Sequence, residues 1–256
     1  MLKENVVESL LGETSDKKKS RTPARLDFLQ SASGLFLAVF MILHMLFVST
    51  ILISKDFMLS VTKAFELSFI FEGGSSVPVF IAISIVSAIF IFHAFLAMRK
   101  FPISYRQYLR LKTNSNLMNH GDTKLWIIQV ITGFALFFLG SIHLYTMLTN
   151  PGNIGPYASS DRVFSDLMWP LYIVLLIAVE FHGSIGLYRL SVKWGWFEGE
   201  DSKVSRKKLK KVKIILTVVM LTLGIMTLLA YMKIGYDHQD NYGERYMHPT
   251  EVSHAN

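Results

Sequence analysis

The chain contains no cysteine. That excludes disulfides, a haem attached through a C-x-x-C-H motif, and cysteine-held iron–sulfur clusters on this chain. Any electron-transfer cofactor here must be held by other side chains. Charge is also scarce: 18% of the 256 residues are Asp, Glu, Lys or Arg, against about 25% in an average soluble domain. Acidic residues are the rarer sign, 19 against 26 basic. No apolar stretch of signal-peptide type precedes residue 28, so no cleaved signal is expected and the first apolar run reads as its own insertion signal. No internal repeat of useful strength stands out.

What the chain has in abundance is apolar sequence, 51% of its residues, with a mean hydropathy of +0.37. A bilayer core of about 30 Å takes roughly 20 helical residues to cross. Five runs meet that length, at residues 28–53, 77–98, 125–149, 167–188 and 214–232. The expected fold is therefore all-α and polytopic, with five transmembrane helices. A soluble protein would have to bury five such helices in one domain. Residues 1–26 read as a polar N-terminal arm, 27–236 as the transmembrane domain, and 237–256 as a polar tail, expected to be poorly ordered.

Basic residues orient the spans. The segment before span 1, the loop between spans 2 and 3, and the loop between spans 4 and 5 carry 6, 6 and 9 Lys or Arg. The other side carries only Lys55, Lys63, Arg162, Lys233 and Arg245. This bias puts the N-terminus in the cytoplasm and the C-terminus outside. The net charge of +7 is then a topology signal, with no nucleic-acid partner implied, although the basic face suits acidic headgroups or a soluble partner. Residues 56–71, DFMLSVTKAFELSFIF, read as an amphipathic helix at the outer interface. Loop 99–124 is basic and aromatic, and 150–166 is a loop rich in turn formers. The run RKKLKKVK reads as a solvated, basic helix start.

Of eight histidines, His44, His93, His143 and His182 each lie alone in one of the first four spans. Histidine is costly in hydrocarbon, so one per helix in four successive helices asks for a common partner. Spans 1 and 3 run outward. His44 follows Asp27 by 17 residues and His143 follows Thr123 by 20, about 25–30 Å of helix at 1.5 Å per residue. Spans 2 and 4 run inward. His93 follows Val77 by 16 residues and His182 follows Met168 by 14, about 21–24 Å. Two pairs at two depths result: an outer pair, His44 with His143, and an inner pair, His93 with His182. A lone intramembrane histidine more often bonds a neighbouring helix. Four, paired by depth, favour two bis-histidine haems between the first four spans. A zinc or copper site would bring its ligands to one depth. Gly34, Gly133, Gly140, Gly183 and Gly186 offer the close backbone approach that a porphyrin between helices needs.

Haem propionates need donors near the membrane faces. Lys193, Arg189, Gln30, Ser31 and Trp126 lie at the inner depth and Arg162 is the basic residue of its outer loop; each can equally be a snorkelling or interfacial residue. Glu180, two residues before His182, is a candidate for proton movement or a protonated acid bonded to a neighbour. Glu66, near the outer pair, is either a proton acceptor for an oxidised quinol or a solvated interfacial carboxylate. His120 reads as a surface residue, and His238, His248 and His254 are given no role. Trp169, Trp194, Trp196, Tyr105 and Tyr108 read as interfacial anchors.

The segments LDFLQSASGLFLAVFMILHM, FHAFLAMRKFPISYRQY, HGDTKLWIIQVITGFALFFLGSIHLY and AVEFHGSIGLYRLSVKWGWF closely resemble the cytochrome b membrane-anchor subunit of quinol:fumarate reductase, of the superfamily of succinate:quinone oxidoreductases. The likeness is to the type in which one five-helix subunit carries both haems, and it runs from about residue 18 to 236, leaving the N-terminal stretch and the tail unsupported. It implies two haems b, with His93 and His182 binding the one nearer the cytoplasm and His44 and His143 the outer one. It implies Glu66 as the acid at the menaquinol-oxidation site and Glu180 as an acid of transmembrane proton transfer. It further implies a bacterial inner membrane, a menaquinone pool, a flavoprotein and an iron–sulfur subunit on the cytoplasmic face, and a possible dimer of heterotrimers. The expected function is menaquinol oxidation near the periplasmic face coupled to fumarate reduction in anaerobic respiration. Three rivals stand beside it: the same architecture run as succinate:quinone reductase, a stand-alone transmembrane cytochrome b, and a haem-free transporter or anchor whose histidines bond helices together.

Overall fold

The computed structural model describes residues 21–102, 104–117 and 121–248. His120, His254 and most of the N-terminal arm lie outside them. Among the described residues the fold is helical throughout, with no strand. Helix α1 (Thr22–Val48) runs on into a 3-10 turn, Ser49–Leu52. Then come α2 (Lys55–Phe65), α3 (Ser76–Met98), α4 (Tyr105–Leu117), α5 (Gly121–Thr149), α6 (Pro156–Phe164), α7 (Trp169–Trp194) and α8 (Ser202–His238). Local chemistry marks many of the ends. Pro23, Pro156 and Pro170 stand in the first turns of α1, α6 and α7, where the missing amide costs nothing. Ser54, Ser75 and Asp201 accept from the first amides of α2, α3 and α8. Gly195, at φ +66°, closes α7.

Among the described residues five helical segments are long and apolar enough to cross a membrane, from the 23 residues of α3 to the 40 of Ser202–Asn241. They outrun the apolar stretches visible in the sequence because the helices continue into charged turns, α8 beginning 12 residues before Ile214. Leu, Ile and Phe crowd the outer surface, among them Ile91 at 65% exposure and Phe138 at 63%. That much exposed apolar surface suits lipid as its solvent.

Helices α1, α3, α5 and α7 form a closed ring in that order, each packed on the next and α7 back on α1. Helix α8 lies outside the ring against α7. There Gly224 receives Leu176, whose Cδ1 would stand 2.5 Å from an added Cβ, and Thr217 donates to Ser184 at 2.7 Å. We call the end that carries the start of α1 the near end and the opposite one the far end. At the far end Ile51, Met58, Val163 and Tyr231 form a small core joining the 3-10 turn, α2, α6 and α8.

Three segments differ from the sequence expectation. Residues 150–166 are not simply a loop: α6 lies within them, with Asp161, Arg162 and Val163 buried. Its nine residues are too few for hydrophobic periodicity to register, and packing on α8 is what sustains them. Loop 99–124 likewise carries α4. Residues 239–248 of the tail are held in place, because they return across the far end. Tyr242 donates to Asp166 at 2.9 Å, Arg245 to the Gly152 carbonyl at 3.0 Å, and Tyr246 to Asp56 at 2.6 Å. The Asp56 carboxylate pushes the Tyr246 hydroxyl up to about 12, so it stays a donor.

Candidate functional site: two histidine pairs across one cavity

The ring of four helices encloses a cavity of about 1080 Å³, more than the roughly 300–1,000 Å³ that holds one drug-sized ligand. Its walls include all four intramembrane histidines. His44 on α1 faces His143 on α5, with ring centroids 6.1 Å apart. His93 on α3 faces His182 on α7 at 6.5 Å. In each pair the helices are opposite in the ring, so each pair reaches across the cavity, and the two diagonals cross at different levels.

The spacing has chemical meaning. A metal–imidazole bond is about 2 Å long, and with roughly 1 Å from nitrogen to ring centre on each side, two rings sharing one ion stand about 6 Å apart. Both observed separations fit that figure. Among the described residues no group of three or more His, Cys, Asp or Glu could hold a metal. An ion shared within either pair would draw two imidazoles from it, a ligand set that suits haem iron.

The far faces of the inner rings are held from behind. His182 Nδ1 lies 2.9 Å from the Gln129 carbonyl, an acceptor, so this nitrogen carries the proton and Nε2 is free to bind metal. His93 Nδ1 lies 3.1 Å from the Ser33 hydroxyl. Such outer partners orient a ligating imidazole. The five glycines singled out all line the cavity, and two of them also seat histidine rings. An added Cβ on Gly34 would stand 2.8 Å from His93 Cε1, and one on Gly133 would stand 2.9 Å from His182 Cε1. Gly34 and Gly133 therefore make room for the His93 and His182 rings. If each pair holds a haem, Gly34→Ala or Gly133→Ala should displace the adjacent imidazole and roughly halve the haem content, measured by pyridine haemochrome. Full haem content in both variants would show that the ring positions tolerate the methyl group. The outer pair is held by rings: Phe40 stacks on His44 at 5.6 Å, and Tyr172 meets His143 edge-on at 5.5 Å. His143 Nδ1 is buried with no hydrogen-bond partner among the described residues.

Polar side chains gather at the ends of the cavity. At the near end Gln30, Ser31, Trp126, Arg189 and Lys193 all line it. Lys193 donates to Ser31 Oγ at 2.9 Å and pairs with Asp27, which also pairs with Lys100 at 2.5 Å. Arg189 donates to Gln129 Oε1 at 2.5 Å. Gln30 Oε1 is buried with no partner among the described residues. Asp27, Lys100, Ser33 and Gln129 belong to this site yet carry no signal in the sequence, because only the docking of helices aims them inward. At the far end Arg162 lines the cavity, 8% exposed.

The two acids lie off the cavity wall. Glu180 is wholly buried, and neither of its oxygens has a partner among the described residues. Two residues are about 200° around a helix, so it points away from His182. Its neighbours one turn before and after, Leu176 and Ser184, meet Gly224 and Thr217, which places it in the seam between α7 and α8. Glu66 ends α2, 6% exposed. Its Oε2 accepts from Lys63 at 3.0 Å, and it packs under Gly74, where φ is +86° and a Cβ would lie 2.7 Å from Oε2. The cavity wall reaches Thr62 and Phe65 but turns away before the Glu66 carboxylate.

The site, two crossed histidine pairs with donors at either end, fits two haems, and relatives of the chain agree with its architecture. Residues 105–224 match the succinate dehydrogenase/fumarate reductase transmembrane subunit family. The fumarate reductase cytochrome b subunit of Wolinella succinogenes is 59% identical over 240 residues, 94% of each chain. Those of two Helicobacter pylori strains are 52% identical over 241 residues, 94% of this chain and 93% of theirs. With identity this high over almost the whole length, a five-helix membrane fold and an apolar interior crossed by histidines, this chain belongs to the family of fumarate reductase cytochrome b subunits.

Proposed function

We propose that the chain is the di-haem anchor of a menaquinol:fumarate reductase in a bacterial inner membrane. Its near end faces the cytoplasm and its far end the periplasm, in line with the basic-residue bias. His93 and His182 hold one haem b toward the cytoplasm, and His44 and His143 hold the second toward the periplasm. When bound, the two haems supply one-electron transfer between the faces. Gln30, Ser31, Trp126 and Lys193 receive the propionates of the inner haem and Arg162 those of the outer one. The single observation that carries this reading is the pair of crossed histidine diagonals in one cavity, at the spacing of rings sharing an ion.

Glu66 accepts protons released as menaquinol is oxidised beside the outer pair. Its carboxylate is buried while its partner Lys63 is 40% exposed, so a proton taken from the cavity side has a polar way out to the periplasm. Glu180, in a separate seam, moves protons within the membrane. The two electrons leave at the near end for an iron–sulfur subunit and then a flavoprotein subunit, where fumarate takes them with two protons to become succinate. Both subunits dock on the cytoplasmic face, and the absence of cysteine is consistent with clusters on another chain.

Purifying the complex and taking its reduced-minus-oxidised spectrum tests the reading. About two haems b per chain are expected, with fumarate-dependent oxidation of a menaquinol analogue. A preparation free of haem b would end it.

A further inference from the structure

We propose that Asp161 is a positioning residue for Arg162, held by His238 and the turn at Gly243. The inference rests on the reading that Arg162 serves the group between His44 and His143. Helix α6 has nine residues, too few to be stable alone, so something must fix where its arginine points. That something is the end of α8. Gly235 lets α6 dock directly on the backbone, since an added Cβ would stand 2.5 Å from the Ser160 carbonyl oxygen and 2.6 Å from Phe164 Cβ.

One turn on, His238 stacks on Tyr157 with centroids 3.8 Å apart and rings 21° from parallel. Its Nδ1 donates to Asp161 Oδ1 at 3.0 Å. Asp161 Oδ2 accepts from the Gly243 amide, also at 3.0 Å. Both carboxylate oxygens are thus engaged by the C-terminal segment. Asp161 is 4% exposed and His238 is 7%.

Adjacent residues on a helix point about 100° apart. Anchoring Asp161 into α8 therefore turns Arg162 toward the cavity. There the guanidinium donates to the Asn153 carbonyl and lies 3.3 Å from Met147 Sδ. Among the described residues no carboxylate pairs with it. The acid next to it in sequence is turned aside to His238, which leaves a buried cation with no counter-ion among the described residues. A buried charge is costly unless paired. The clasp thus directs Arg162 to the cavity and reserves its charge for an anionic group bound there, the carboxylates of a haem edge.

The test uses the complete membrane complex. Asp161→Ala should speed amide exchange across 156–164 about tenfold or more. It should also lower the midpoint potential of one haem, the one that His44→Ala removes, because a displaced cation no longer favours the reduced state; the other haem should not move. Asp161→Asn keeps an acceptor for the Gly243 amide and should restore most of both properties. Arg162→Ala should lower the same potential with little change in exchange. If Asp161→Ala does not assemble, His238→Phe makes the comparison, since it keeps a ring on Tyr157 and removes the donor. Unchanged exchange in these variants would overturn the clasp. Faster exchange with both potentials unmoved, alongside a shift in Arg162→Ala, would reduce the clasp to a structural tie and overturn the positioning role. If Arg162→Ala itself moves neither potential, the premise fails, and the proposal with it, while the four-histidine reading stands.

Discussion

Replacing His93 or His182 with alanine should leave a complex with about one haem b per chain, and its quinol-driven fumarate reduction should fall by more than about 100-fold. Even outer partners of a metal ligand are worth roughly 10–100-fold in affinity or activity, so losing the ligand itself should cost more. The structure offers no substitute. Among the described residues the inner level of the cavity holds these two imidazoles as its only histidines. His182 is backed by Gly133 and the Gln129 carbonyl, and His93 by Gly34 and Ser33, so neither ring can swing to cover for the other. His44→Ala or His143→Ala should remove the other haem. Each single variant should leave the opposite pair's spectrum in place, because the diagonals use different side chains at different levels. Redox titration of the purified variants distinguishes the two. His120→Ala should leave both haems, and haem loss there would sink the ligand assignment.

Glu66→Gln should cut menaquinol oxidation about 100-fold or more while both haems stay bound and artificial low-potential donors still drive fumarate reduction. Gln has nearly the same volume and keeps an oxygen for Lys63, so the turn over Gly74 survives. What is lost is a group that can take a proton, and a positioned general base is worth about 10²–10⁴-fold. The drop should therefore lie in that range and fall on kcat, with little change in the reaction fed by donors that release no proton at this site. Loss of haem in Glu66→Gln would instead make the residue structural. The Lys63 contact adds a second arm. Lys63→Met should lower quinol oxidation less than Glu66→Gln does, because the carboxylate remains.

Much of the candidate site was legible from spacing alone. Rise per residue and chain direction assigned His44 and His143 to one level and His93 and His182 to the other, and the structure brings these same residues face to face. Depth is a one-dimensional quantity and follows from counting. Orientation around the helix is different. Glu180 reads as a neighbour of His182 in sequence, yet it faces the α7–α8 seam, on the other side of the helix from the cavity. For Glu66, spacing gives the depth near the outer pair but not the partner of its carboxylate, which is Lys63. Helix α6 and the returning tail were illegible, because short polar segments owe their order to partners far away in the chain, such as Ser160 on Gly235 and Tyr246 on Asp56.

Sequence by itself determined the five apolar helices, since hydropathy and length must match a bilayer whatever the helices pack against. It also determined the levels of the four histidines. Only the tertiary structure decided that α1, α3, α5 and α7 close into a ring, that each histidine pair spans it from opposite helices, and that Gly34 and Gly133 are seats for imidazoles. The physical reason is that interhelical packing in an apolar medium is set by side-chain shape and a few buried hydrogen bonds. Those depend on which faces meet, and no periodicity along a single uniformly apolar helix records that.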